Sequence, residues 1–143
     1  MSEQHCELCA ERGGHLVHDD GRLRVVAVEE PDYPGFIRVI WNSHVRELTD
    51  LAPADREHLM RVVFGVERVQ RDVLRPHKMN VACLGNVTPH LHWHLIPRHA
   101  DDAHFPAPIW AERRRVTPEA VLAARRAQVP GLIEALAQAL RGC

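Results

Sequence analysis

Along His90-Leu91-His92-Trp93-His94-Leu95-Ile96, three imidazoles alternate with large apolar side chains. Successive side chains of an extended strand point to opposite faces, so the histidines line one face while Leu91, Trp93 and Leu95 line the other. One face buries and the other is available for chemistry. Neighbouring histidines two residues apart sit roughly 6.5 to 7 Å apart at Cα, and the outer pair roughly 13 Å. Two neighbours can converge on one metal ion through bonds of about 2.1 Å, whereas a third on a straight strand struggles to reach it. The spacing therefore suggests divided roles. Neutral imidazole titrates near 6.5, so one ring can be an unprotonated nucleophile near neutral pH while a neighbour donates a proton.

The second constellation is Cys6-Glu7-Leu8-Cys9. A two-residue spacing suits metal chelation, and a structural disulfide is disfavoured in a reducing compartment. The pair supplies two ligands, so a closed tetrahedral site needs two more from elsewhere in the chain; without them this is an unmetallated N-terminal segment. Cys83 lies inside an apolar run and reads as core, and Cys143 as a terminal free thiol.

The triad run resembles the motif of the histidine triad (HIT) superfamily of nucleotide hydrolases and transferases. Pro34-Gly35, the apolar strand Phe36 to Trp41, His44 and Leu48-Thr49-Asp50-Leu51 are similar to the upstream HIT pattern. His94-Leu95-Ile96-Pro97-Arg98 resembles the end of the motif in hydrolase branches, including bacterial dinucleoside polyphosphate hydrolases. The likeness covers residues 6 to about 112. It implies an α+β, HIT-like fold with an antiparallel sheet of about five strands, one long helix and C-terminal helices, pairing as a homodimer. By the same resemblance His92 attacks the α-phosphorus, and a nucleotidyl-histidine intermediate passes the nucleotide to water or another acceptor. His94 holds phosphate oxygens or relays a proton, and a histidine at this position favours hydrolysis. His90 either orients the site or binds structural zinc with Cys6, Cys9 and His44. No organic cofactor is implied.

Phosphate contacts are expected from Asn86 and Thr88, in the turn before the triad, from Asn80, and from Arg98 just beyond it. Gly85-Asn86-Val87-Thr88-Pro89 is shorter than the glycine-rich loop of the better-known branches, which carries a serine or glutamine before the triad. Glu29 stands roughly where the family places a ribose-binding acid. Trp110 and Phe105 either cover the nucleotide or a dimer partner, or pack in the core.

These groups need a scaffold, and the chain has room for one. At 143 residues and 45% apolar it supports a single domain over 1–143, with a core of about 6–112 and a helical extension of about 113–143. The formal net charge of −1 offers no basic field for a nucleic-acid polymer. Apolar stretches fall far short of a membrane span, and Met1-Ser2-Glu3-Gln4 lacks the regions of a signal peptide, so a cytoplasmic location is expected. His15 to His18 and Leu23 to Val28 read as a hairpin about Asp19-Asp20-Gly21, followed by the strand Phe36 to Trp41. From Pro53 the apolar residues Leu59, Val62, Val63, Val66, Val69 and Val73 recur at helical spacing, and Pro76 ends the element. Asn80 to Leu84 and Leu91 to Ile96 add two strands. Ala100 to Trp110 is loop; Thr117-Pro118-Glu119 reads as a capped helix start, and Pro130 restarts a helix.

The expected function is that of a nucleotide hydrolase or nucleotidyl transferase cleaving at the α-phosphate of dinucleoside polyphosphates such as diadenosine polyphosphates, AMP phosphoramidates or similar nucleotide conjugates. Two alternatives stay open. One is a mononuclear metallohydrolase using the HxHxH strand, the other a nucleotide-binding interaction protein with weak activity.

Overall fold

A computed structural model describes residues 5–143; Met1 to Gln4, where the leader expectation was placed, lie outside it. A short turn of helix, α1 (Glu7–Ala10), precedes the hairpin of β1 (His15–Asp19) and β2 (Leu23–Ala27). The hairpin turns because Asp20 Oδ1 accepts the amides of Arg22 and Leu23, both at 2.9 Å, while Gly21 takes a positive φ of 90°. β3 (Ile37–Trp41) leads to the long helix α2 (Pro53–Leu74), then β4 (Lys78–Cys83), β5 (His92–Arg98), α3 (Glu119–Arg126) and α4 (Val129–Leu140). The strands form one antiparallel sheet in the order β1-β2-β3-β5-β4.

Strand alternation gives this sheet two unlike faces. In β3 and β5, Ile37 pairs with Leu95 and Val39 with Trp93, and these side chains join α2 and α4 in the main core. Arg38 pairs with His94 and Ile40 with His92, so those four share the opposite face. α2 starts with Pro53 in its first turn and ends where Arg75 adopts a left-handed φ of 47°, just before Pro76. Its buried Gln70 donates to the carbonyls of Gly35 and Leu95, both at 2.9 Å, tying the helix to the start of β3 and to β5.

One expectation changes. Thr117 does not cap α3: its hydroxyl donates to the Asp101 carbonyl at 2.7 Å, and the N-cap is Pro118 without a side-chain bond. Within the helical C-terminal segment, Leu132, Leu136 and Leu140 of α4 are buried in the core formed with α2 and the sheet. Leu136→Ala is expected to cost about 3 kcal/mol in chemical unfolding, the range for a fully buried leucine that leaves a cavity. A loss under about 1 kcal/mol would mean that α4 is dispensable to the core.

Candidate active site and metal centre

β5 begins at His92, and the chain bends just before it, where the Leu91 amide donates to Val45 O at 2.7 Å. The three histidines consequently do not present alike. His90 Nε2 lies 2.5 Å from the Trp41 carbonyl, which can only accept, so the proton is on Nε2 and the Nδ1 lone pair is free. That Nδ1 faces Cys6 Sγ and Cys9 Sγ, each at 3.4 Å, and His44 Nδ1 is 3.4 Å from Cys9 Sγ. All four donor atoms lie within 4.8 Å of one another. A zinc tetrahedron with these bonds has edges of about 3.3 to 3.8 Å, and a ring proton held by a backbone carbonyl is the usual support of a histidine ligand. The donor set and its spacing fit zinc, with four protein ligands and no open position.

His92 is set the other way round. Its Nδ1 lies 2.5 Å from the His90 carbonyl and must donate to it, which leaves the Nε2 lone pair bare. His94 stands beside it, with ring centroids 4.8 Å apart, between the edges of Phe36 at 5.7 Å and Trp110 at 5.1 Å. Its Nδ1 is buried without a partner. Burial, then the neighbouring His92, then the Arg38 charge push His94 down to about 4. Burial also lowers His92; the bond to His90 O opposes this, and Arg38 adds to the lowering. Both rings are therefore neutral near pH 7.

The two rings open into a cleft of about 480 Å³ that is also lined by Asn86, Thr88, Trp110, Arg38 and Glu7. Asn86 and Thr88 thus come together with the triad as the sequence suggests, and Trp110 covers it. Arg98 and Asn80 do not reach the cleft. A buried guanidinium needs a counter-charge, and Arg98 finds it in Asp102, with Nε to Oδ2 at 2.8 Å and Nη2 to Oδ1 at 3.0 Å. Arg98 Nη1 takes up Asn80 Oδ1 at 2.7 Å, so both expected phosphate contacts are built into the fold instead. Glu29 lies in a separate cleft with Glu30, Phe36 and Arg126. Phe105 stacks edge-on with His77, away from the triad. Sequence reading passed over Arg38, one charge in an otherwise apolar strand, and Glu7, hidden between the two cysteines.

The alternative of a metal held by two histidines of the HxHxH strand finds no support in the donor groups that cluster here. Among the described residues, the group able to hold an ion takes only His90 from the triad.

An antiparallel five-stranded sheet that presents alternating histidines to one cleft, backed by a long helix, defines a histidine triad protein. The chain belongs to the HIT family: the HIT domain model matches residues 10–101. It is 36% identical over 81 residues to an AP-4-A phosphorylase of Mycobacterium tuberculosis (strain ATCC 25618 / H37Rv); the match covers 52% of this chain and 42% of that relative, so the chain spans less than half the relative's length. A histidine triad protein from Bradyrhizobium japonicum superposes with a TM-score of 0.72 at 25% identity, over 90% of this chain and 92% of its own. One from Marinobacter aquaeolei VT8 gives 0.70 at 27% identity, over 93% and 97%. A Zn-bound histidine triad family protein from Mycobacterium smegmatis shares the fold, with a TM-score of 0.64 at 22% identity over 96% of both chains. No helix among the described residues is long and apolar enough to cross a membrane.

Proposed function

We propose that this protein cleaves dinucleoside polyphosphates or related AMP conjugates at the α-phosphate, with His92 as the nucleophile. The bond that holds His92 Nδ1–H on the His90 carbonyl is the observation that carries this reading, because it leaves Nε2 unprotonated on a ring that lines the cleft. The Nε2 lone pair attacks phosphorus, and the phosphorus–oxygen bond to the leaving group breaks with its electron pair on that oxygen. An oxygen of the acceptor then attacks, the phosphorus–nitrogen bond breaks, the pair returns to Nε2, and the acceptor's proton passes to solvent. Asn86 and Thr88 donate to phosphate oxygens, and His94, neutral and caged by Phe36 and Trp110, contacts the phosphate rather than carrying charge.

Water as acceptor releases AMP, whereas inorganic phosphate as acceptor releases ADP. The relative named AP-4-A phosphorylase favours keeping the second outcome in the assay. Incubating the protein with diadenosine tetraphosphate, with and without phosphate, and separating the nucleotides distinguishes them. Neither AMP nor ADP released under any condition would defeat the proposal.

Cys6, Cys9, His44 and His90 would hold a structural zinc, which supplies a crosslink between the N-terminal turn and the triad strand and takes no part in bond cleavage. Purified protein is expected to carry about one zinc per chain, and the double variant Cys6→Ser with Cys9→Ser to carry none and to lose stability on the order of several kcal/mol. Elemental analysis with thermal melting checks both. A metal content well below one per chain in protein prepared without chelator would count against the centre.

A homodimer in the cytoplasm completes the reading. β1 and β4 are open sheet edges, and Phe64 of α2 and Val81 of β4 are exposed on the helix-bearing side. Sedimentation tests the pairing.

A further inference from the structure

Arg38 is a charged residue in a strand that is otherwise Ile37, Val39, Ile40 and Trp41, in the middle of the sheet. Its register partner is His94, so the guanidinium rises from the same face as the triad and lines the same cleft. The two buried arginines, by contrast, are fully engaged. Arg24 donates to Leu8 O, Glu11 O, Arg12 O and Asn42 Oδ1, and Arg98 is forked onto Asp102. Arg38 instead has Nη1 on the Gly13 carbonyl at 3.1 Å, while its Nε is buried with no hydrogen-bond partner. Glu7 also lines the cleft, near enough to act on the Arg38 charge.

Phosphoryl transfer places negative charge on nonbridging oxygens and requires fixed positive groups aimed at them. Arg38 is the only arginine or lysine among the described residues that line this cleft. This half-buried guanidinium therefore brings a fixed positive charge to the cleft.

We propose that Arg38 is a catalytic residue that binds the nonbridging oxygens of the α-phosphate next to His92, so that the cleft selects phosphorylated nucleosides over uncharged ones. This rests on the reading of His92 as nucleophile. Gly13 O holds Nη1, and the part of the guanidinium that lines the cleft would meet the phosphate. A guanidinium stays cationic at every physiological pH.

Calorimetric titration of the full chain with AMP and with adenosine, alongside turnover of diadenosine tetraphosphate, tests this. The wild type is expected to prefer AMP by about tenfold or more, and Arg38→Met to abolish that preference with adenosine affinity unchanged. In Arg38→Met, kcat is expected to fall about a hundredfold to a thousandfold. Arg38→Lys keeps the cation without the planar fork; it is expected to retain a preference for AMP while kcat falls about tenfold, and it serves if the methionine variant does not fold. AMP still preferred in Arg38→Met, equal losses for AMP and adenosine, or wild-type kcat in either variant would overturn the proposal. A wild type that releases no nucleotide yet shows the Arg38-dependent preference would remove the catalytic reading and leave the phosphate contact standing.

Discussion

His92→Ala is expected to lower the rate of nucleotide release from diadenosine tetraphosphate by about a thousandfold or more, with the melting temperature little changed. Removing the atom that forms the covalent bond takes away several kcal/mol of transition-state stabilisation. The packing cost is small by comparison, because the His92 ring lines the cleft and its side chain makes one hydrogen bond, to a neighbouring carbonyl. Rapid acid-free quenching followed by intact-mass analysis should show a nucleotidyl adduct on the wild type and none on the variant. A wild type without adduct together with a His92→Ala variant of near-normal rate would remove covalent catalysis. His94→Ala is expected to cost less, since a ring held near a pKa of about 4 is a poor proton donor at neutral pH.

Among single substitutions, the largest effect on stability is expected at Asp102. This buried carboxylate accepts two bonds from Arg98, the Tyr33 hydroxyl at 3.2 Å, and the amides of His99, His104 and Phe105 at 3.0, 3.1 and 2.8 Å. It thereby fixes the loop that carries Trp110 back over His94. Asp102→Ala leaves a buried guanidinium and three amides without their acceptor, and is expected to destabilise the fold by about 3 to 5 kcal/mol in urea unfolding. A loss under about 1 kcal/mol would show that water or a rearranged loop replaces the carboxylate.

Acid should act through the same groups. Burial alone would raise the Asp102 carboxyl, but the Arg98 bond and the backbone amides outweigh it and hold it well below the usual carboxylate range. Its contribution is complete above the unfolded value of about 3.9 and is lost as pH falls through the lower folded value. His94 acts earlier. The unfolded chain binds its proton near 6.5 while the folded ring waits until about 4, so stability falls across that interval as pH is lowered. Unfolding curves at pH 7 and pH 4.5 check the direction.

The sequence by itself determined much of this protein. Alternation along residues 90–96 placed the histidines opposite Trp93 and Leu95; turn chemistry at Asp20 and Gly21 set the hairpin, and the apolar spacing from Leu59 to Val73 with Pro76 marked the long helix. The two-residue cysteine spacing, joined to the family resemblance, named the four donors that the fold gathers. These features are local, or repeat with a period that a strand or helix imposes. Only the tertiary structure decided the rest. Arg98 and Asn80 look like surface anion contacts until β4, β5 and the Asp102 loop close around them, and Arg38 looks like an interruption in a strand until register sets it beside His94. The protonated nitrogen of each triad ring was equally hidden. His90 depends on a carbonyl 49 residues away and a thiol 84 residues away, and partners at such separations meet only when the chain has folded.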